Sequence, residues 1–390
     1  MRRLVSSATL RYAPLASGTH DVPLLRRIVL EVALEHTVGI RPEHVEVTQI
    51  FGGITNQLFR CSFTGDRACL LLRVFGGEGM IDREVENATF EGLAAAGIGV
   101  PYHGRFANGR VEGWLAESEA LELNAMPSVS TKVAGEMAKL HRFSLPRTEA
   151  GSDALVDANE KAAEPTMWPQ LWSWLRQAQK QAHEIEARHG VEIAARFDAL
   201  HAKFLGTPSR GESGGGGGGG EGERAWQLDR VEAELHALHA SMPSSPAVFC
   251  HNDVLAGNVM LDQRTGRVTL IDFEYGGINH RGADIANHWN EWAGGTQAEM
   301  NGVCEYARFP SGDEQREFCA AYLGALSDRP RPDPDAVERL VAEANAFVQV
   351  NHWYWGLWAV NQAVLEGVAE FDYITYAESR AKRYWETKRA

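Results

Sequence analysis

The chain has 390 residues, 44% of them hydrophobic and 23% charged, with a formal net charge of -14 at pH 7. That length allows two lobes, and the acidic balance argues against nucleic acid or an anionic membrane surface as partner while favouring a cationic substrate. Five scattered cysteines (Cys61, Cys69, Cys250, Cys304, Cys319) without CxxC spacing predict reduced, packed thiols with neither a disulfide framework nor a zinc site. The richest apolar stretch, Phe347 to Leu365, is broken by Gln349, Asn351, His352, Asn361 and Gln362, so a cytoplasmic protein with no stable membrane insertion is expected.

The first twenty residues hold Arg2, Arg3 and Arg11 and no acid, which reads as a disordered basic start, with an organelle presequence as the alternative. Val22 to Leu34 has helical apolar spacing, and Val45 to Phe51, Gln57 to Phe63 and Ala68 to Phe75 read as strands. Gly52-Gly53-Ile54-Thr55-Asn56 joins the first two. A glycine-rich hairpin lets backbone amides approach phosphates, which makes Gly52, Gly53, Thr55 and Asn56 candidate nucleotide contacts; a plain turn is the alternative. Arg73 is the single charge at the exit of an apolar strand, and its planar fork suits phosphate oxygens. The helix after it opens on Asp82, Glu84 and Glu86, carboxylates that suit a helix start. A short strand and crossover are expected near Trp114 to Leu121.

Beyond Leu121 the pattern is mostly helical: Ser130 to His141 with a Ser or Thr cap, roughly Trp168 to Ala195, and Arg224 to Ala240. Gly206 to Glu223 contains seven consecutive glycines, Gly214 to Gly220, which cannot bury side chains to offset their ordering entropy. It reads as a flexible surface insertion (206-223) within a lobe.

Val248 to Tyr275 carries the densest chemistry. Ala247 to Cys250 reads as a buried strand, Asn258 to Leu261 and Val268 to Ile271 as a hairpin turning at Asp262 to Arg267. The spacing His251-x-Asp253-x4-Asn258, followed by Asp272 after the hairpin, suits phosphoryl transfer from a nucleotide. Asp253 orients a hydroxyl and relieves it of its proton, while Asn258 and Asp272 offer magnesium the hard oxygens it needs. Glu274 follows Asp272 by two, so in extended chain both face one side, where a second metal could sit. Asp284, Asn287 and His288 share a helix face and read as a hydrogen-bonded network, since no cysteine or second nearby histidine completes a zinc set. Trp355 and Trp358 project from one helix face, with His352 one turn earlier. Indole faces hold an ammonium well, although core packing is the commoner use of such spacing.

The HNDxxxxN loop, the run IDFEYGGINHRGADIANHWNEW and the later HWYWGLWAVNQA resemble the choline/ethanolamine kinase family, as do GGITNQLF near the start and FDYITYA near the end. The resemblance spans roughly residues 45 to 385. It implies an α+β, two-lobed, protein-kinase-like fold: a small antiparallel-sheet nucleotide lobe over 20-120 and a larger, mainly helical catalytic lobe over 121-390. It implies ATP and Mg2+ as cofactors and a small amino alcohol as substrate. Arg73 then takes the place of the phosphate-holding lysine of protein kinases, with Glu86 as its ion-pair partner and Glu84 as a competitor. His251, Arg281 and Asp284 support the loop, Glu291 approaches the substrate ammonium, and Trp355, Trp358, Phe371 and Tyr376 form the amine pocket.

Choline kinases carry aromatics just after the Glu-Trp pair, where this chain reads Ala293-Gly294-Gly295-Thr296. A primary ammonium prefers hydrogen-bond acceptors to an aromatic wall. The expected reaction is therefore phosphorylation of ethanolamine to phosphoethanolamine, the first step of the CDP-ethanolamine route to phosphatidylethanolamine. Choline is the alternative, Trp292 being the choline-like residue at its position; an aminoglycoside-type phosphotransferase is a further one. Oligomeric state is left open, a homodimer being allowed.

Overall fold

The computed structural model describes residues 5–7, 10–13, 20–50, 56–65, 69–76, 83–144, 164–206, 227–327 and 331–388. They form two compact units. The first takes the described residues of Met1–Ala120, Phe143–Ala158 and Val259–Tyr275, the second those of Leu121–Arg142, Asn159–Asn258 and Gly276–Ala390. Gly52, Gly53 and Thr55 of the expected phosphate loop, and residues 207–223 of the glycine-rich insertion, lie outside the described residues. Where the sequence reading assigned everything after residue 120 to one lobe, Val259–Tyr275 goes with the first unit, because Val259–Asp262 pairs with Ser118–Ala120.

The first unit is built on a six-stranded sheet in the order Val5–Ser7, Tyr102–Phe106, Gly109–Gly113, Cys69–Phe75, Asn56–Phe63, Val45–Ile50. The pleat of Asn56–Phe63 buries Phe59, Cys61 and Phe63 and leaves Arg60 exposed. The helix Val22–Val32, capped by Asp21 accepting from Leu24 N at 3.0 Å, packs Leu25, Ile28, Val29 and Val32 into the same core. It stops two residues short of expectation because Ala33 leaves the helical region (φ -99°, ψ 45°). Val5–Ser7, expected in a disordered start, is an edge strand parallel to Tyr102–Phe106. The hairpin Tyr102–Phe106/Gly109–Gly113 was not foreseen. Gly109 permits it, since a Cβ there would collide with the Arg73 carbonyl oxygen and the Phe106 ring. A second, three-stranded sheet joins Ser118–Ala120, Val259–Asp262 and Val268–Leu270, with Leu270 opposite Val259. Its turn is tied by Asp262 Oδ1 accepting from Arg264 N (2.9 Å) and Thr265 N (2.7 Å).

In the second unit, Ala247–Cys250 pairs with Gly277–His280, and the other regular elements among the described residues are helices. Pro334–Glu366 is the spine: Asp333 caps it, Pro334 sits in its first turn, and Gly367 at φ 80° ends it. Val350 to Asn361 are buried without interruption, as a helix enclosed by neighbours requires. The helix expected over 168-195 is broken into Met167–Gln181, Ile185–His189 and Val191–Leu200 by a tight turn at Ala182–Glu184 and by Gly190 at φ 85°. Met126–His141 starts four residues before the expected Ser130, with Pro127 in its first turn and no side-chain cap. Among the described residues no helix is long and apolar enough to cross a membrane.

Candidate active site

In the first unit the candidate phosphate-binding group is a buried charge cluster. Arg73 and Arg110 are opposite one another on neighbouring strands, and Glu112 lies two residues along from Arg110 on the same face. One Glu112 oxygen therefore accepts from Nε of both Arg73 (2.8 Å) and Arg110 (2.6 Å). Arg110 Nη1 reaches Glu86 at 2.6 Å, and Arg83 Nη1 reaches the other Glu86 oxygen at 2.7 Å. The expected Arg73–Glu86 pair is thus corrected: the direct partner of Arg73 is Glu112, and Glu86 serves Arg110 and Arg83. Glu84 is spent on Arg105 at the surface, 2.6 Å away. Asn56 Oδ1 accepts weakly from Gly76 N (3.4 Å) and Arg83 Nη2 (3.5 Å).

Arg73 Nη1 also stands 3.4 Å from Asp272 Oδ1, and Arg83 Nη1 3.7 Å from Glu274 Oε2. Asp272 takes φ 64°, so the extended-chain argument for Asp272 and Glu274 fails. The two carboxylates interact all the same. Burial, then the Asp272 and Glu86 charges, push the Glu274 carboxyl up to about 7 against the pull of Arg83 and Arg73. Burial also works against Glu112, but Arg73 and Arg110 hold its carboxyl below the ordinary value. Three guanidiniums thus face four carboxylates, and the surplus negative charge falls on Glu274. A hard divalent cation fits that donor set and its charge.

In the second unit the loop after Ala247–Cys250 turns on Asn252 at φ 66°. Asp284, fully buried on the helix Arg281–Glu291, accepts from His251 N (3.0 Å), Asn252 N (2.6 Å) and His141 Nε2 (2.9 Å), and Tyr322 OH meets His141 Nδ1 at 2.8 Å. Burial would raise its carboxyl; His141, His251 and the backbone donor hold it low. Asn279 Nδ2 donates to Asn252 Oδ1 at 2.8 Å, and His288 Nδ1 meets the Val254 carbonyl at 3.0 Å. Asn258 donates its amide to Asp253 O (2.8 Å) and Asp253 Oδ2 (3.1 Å), which leaves its side-chain oxygen outside that pair. Arg281 does not reach the loop: its guanidinium pairs with Glu343. Cys250 and His141 do come near Asp284, contrary to the sequence argument against a zinc set. Both His141 nitrogens and both Asp284 oxygens already have hydrogen-bond partners, so the cluster is a network.

The aromatic residues gather farther along the same unit. Trp355 and Trp358 meet edge to face at 5.5 Å, and Trp358 meets Tyr373 at 5.5 Å and Tyr376 at 6.4 Å. Phe371 lies 5.8 Å from Tyr376 and 4.9 Å from Tyr373. Tyr373 was missed by the sequence reading, although it stands between Phe371 and Tyr376 in the same segment. Trp355 Nε1 donates to Asn287 Oδ1 at 2.6 Å, and Asn351 Nδ2 donates to the same oxygen at 2.8 Å. Glu291 is not available to an ammonium as expected, because its buried carboxylate is paired with the fully buried Arg380, which also reaches the Tyr376 hydroxyl. Trp292 is packed inward, donating to His288 Nε2 at 3.3 Å. Gly294 and Gly295 take φ 64° and 114°, and a Cβ on Gly295 would come within 3.1 Å of the Tyr376 ring. The absence of aromatic residues there thus follows from backbone geometry as well.

Residues 47–385 match a family model described as choline/ethanolamine kinase. Ethanolamine kinase 2 of Mus musculus is 32% identical over 355 residues, 89% of this chain and 77% of the relative. A probable choline kinase 2 of Arabidopsis thaliana is 28% identical over 370 residues, 92% of this chain and 89% of the relative. The solved Plasmodium vivax ethanolamine kinase has a TM-score of 0.67 at 22% identity, covering 93% of this chain and 88% of that one. This likeness establishes the α+β, two-lobed, protein-kinase-like fold.

Proposed function

Because the chain belongs to the choline/ethanolamine kinase family, we propose that it transfers the γ-phosphoryl group of Mg-ATP to the hydroxyl of ethanolamine, giving phosphoethanolamine and ADP in the cytoplasm. The observation that carries the phosphotransfer reading is the His251–Asn258 loop, whose backbone is held by one buried carboxylate while Asn258 clamps Asp253. Asp253 orients the substrate hydroxyl and accepts its proton late in the transfer. Arg73 pairs with phosphate oxygens, helped by Gly52, Gly53, Thr55 and Asn56. Asn258 of the second unit, and Asp272 and Glu274 of the first, would offer oxygens to magnesium, which when bound would neutralise phosphate charge. Trp355, Trp358, Phe371 and Tyr376, with Tyr373, wall the ammonium site. Catalysis is then positioning with charge neutralisation.

Ethanolamine is favoured over choline by the 32% identical relative's name and by Gly294 and Gly295, which place no aromatic wall beside Tyr376. Choline remains the second reading, supported by the 28% identical Arabidopsis relative. Replacing Asp253 by Asn removes nearly all turnover and leaves ATP binding, measured by titration calorimetry, intact. A variant that turned over at a near-normal rate would rule out the role given to Asp253.

A further inference from the structure

The two halves of the aromatic wall are held differently. Trp355 and Trp358 are buried along the helix Pro334–Glu366, well inside its ends. Phe371, Tyr373 and Tyr376 instead straddle the start of the helix Tyr373–Thr387, where the first N–H groups have no partner within the helix and the chain frays most readily. Asp372, to which the sequence reading assigned no role, stands among them. Its Oδ1 accepts from Thr375 N at 3.0 Å, its Oδ2 from Thr375 Oγ1 at 2.9 Å, and its carbonyl oxygen from Tyr376 N at 3.0 Å.

Two further groups reach Asp372 from elsewhere in the sequence. Arg196, on the helix Val191–Leu200, pairs through Nη2 with Asp372 Oδ2 and stands 3.2 Å from Thr375 Oγ1. Asn301 Oδ1 accepts from Asp372 N at 3.0 Å. Gly302, at φ 96°, lies so close that a Cβ would come within 2.6 Å of the Asp372 carbonyl oxygen and 2.8 Å of Tyr376 N. Burial would raise the Asp372 carboxyl, but the Thr375 N–H and Arg196 hold it below the ordinary carboxylate range. An exposed ion pair alone is worth little. Here the carboxylate is 17% exposed and already fixed by Thr375, so little further ordering opposes the pairing. We infer that Asp372 is a positioning residue for amino-alcohol binding: held by Arg196 and Asn301, it keeps Phe371, Tyr373 and Tyr376 in place beside Trp358. The inference rests on the amino-alcohol reading above. Asp372 acts through the three rings and takes no part in the transfer itself.

The test is steady-state kinetics of the full chain with ethanolamine and Mg-ATP varied in turn, together with urea denaturation of each variant. Asp372→Ala should raise the KM for ethanolamine by about tenfold, the scale of one lost charge-assisted contact, with kcat and the KM for Mg-ATP within about twofold of wild type. Arg196→Gln, which leaves the helix cap in place, should raise it about threefold, and Arg196→Lys, which keeps the charge, should restore most of the loss. A cap with a structural role alone would lower the urea midpoint and leave the KM for ethanolamine unchanged. That result overturns the inference, as does a rise of both KM values together. Arg196→Gln alters only a part-exposed side chain, so an unchanged KM in that variant decides against the inference even if Asp372→Ala does not fold. A wild type that turns over no amino alcohol fails the functional reading and takes this inference with it; an active wild type with unaltered variants fails this inference alone.

Discussion

The Arg73 cluster of the first unit and the Asp284 network of the second are both buried, both ionic, and differ in whether their charges close. Asp284 is one carboxylate surrounded by donors: two backbone N–H groups and His141. Around Arg73, three guanidiniums meet four carboxylates, and Glu274 is pushed up to about 7 by burial and the acids beside it. A closed network gives rigidity and asks for nothing further. An open one leaves negative charge for a cation to meet, as proposed above for magnesium.

The sharpest way to break the contrast is in the closed network. Asp284→Ala leaves two loop N–H groups and His141 without their acceptor and should cost about 3 to 5 kcal/mol, the range for breaking a buried ionic group's partnership. Urea denaturation at neutral pH checks this; a loss below about 1 kcal/mol would mean the loop is held elsewhere.

The second expected effect is acid sensitivity. Burial, with the nearby His251, holds the His288 imidazole down to about 4, against about 6.5 when unfolded, and outweighs the opposite pull of the Val254 carbonyl and Asp284. Between those values the unfolded chain binds the extra proton. The stabilisation is therefore complete above about pH 6.5 and lost as pH falls through about 4, on the order of 3 kcal/mol in all. His288→Gln, which cannot titrate, should flatten the pH dependence of the urea midpoint; an unaltered profile contradicts the assignment.

The smallest effect lies in the open cluster and is functional. Glu112→Gln removes the direct partner of Arg73 and should raise the KM for Mg-ATP by about tenfold, the scale of one charge-assisted bond, with Glu86→Gln raising it less. The reverse order in steady-state kinetics would return Glu86 to the role that the sequence reading gave it.

The difference between the two regions also explains what the sequence could and could not disclose. The hairpin after Asn258 was legible because alternating strands and an Asp-to-Gly turn are local signals. Glu112 was not, because Gly109–Gly113 reads Gly-Arg-Val-Glu-Gly, and a strand that buries charge looks like a loop until its neighbours are known. The same holds for Glu291, whose pairing with Arg380 joins two helices distant in sequence. The left-handed turn at Asp272 carries no glycine to announce it. The tryptophan pair was legible by its spacing, whereas Tyr373 was hidden among similar neighbours.

The most direct test of the central claim is the initial rate of ADP release by purified protein with Mg-ATP, across concentration series of ethanolamine and of choline. A kcat/KM for ethanolamine at least about tenfold above that for choline is predicted, corresponding to about 1.4 kcal/mol in transition-state binding. Preference for choline would contradict the substrate assignment, and turnover of neither would contradict the kinase reading itself.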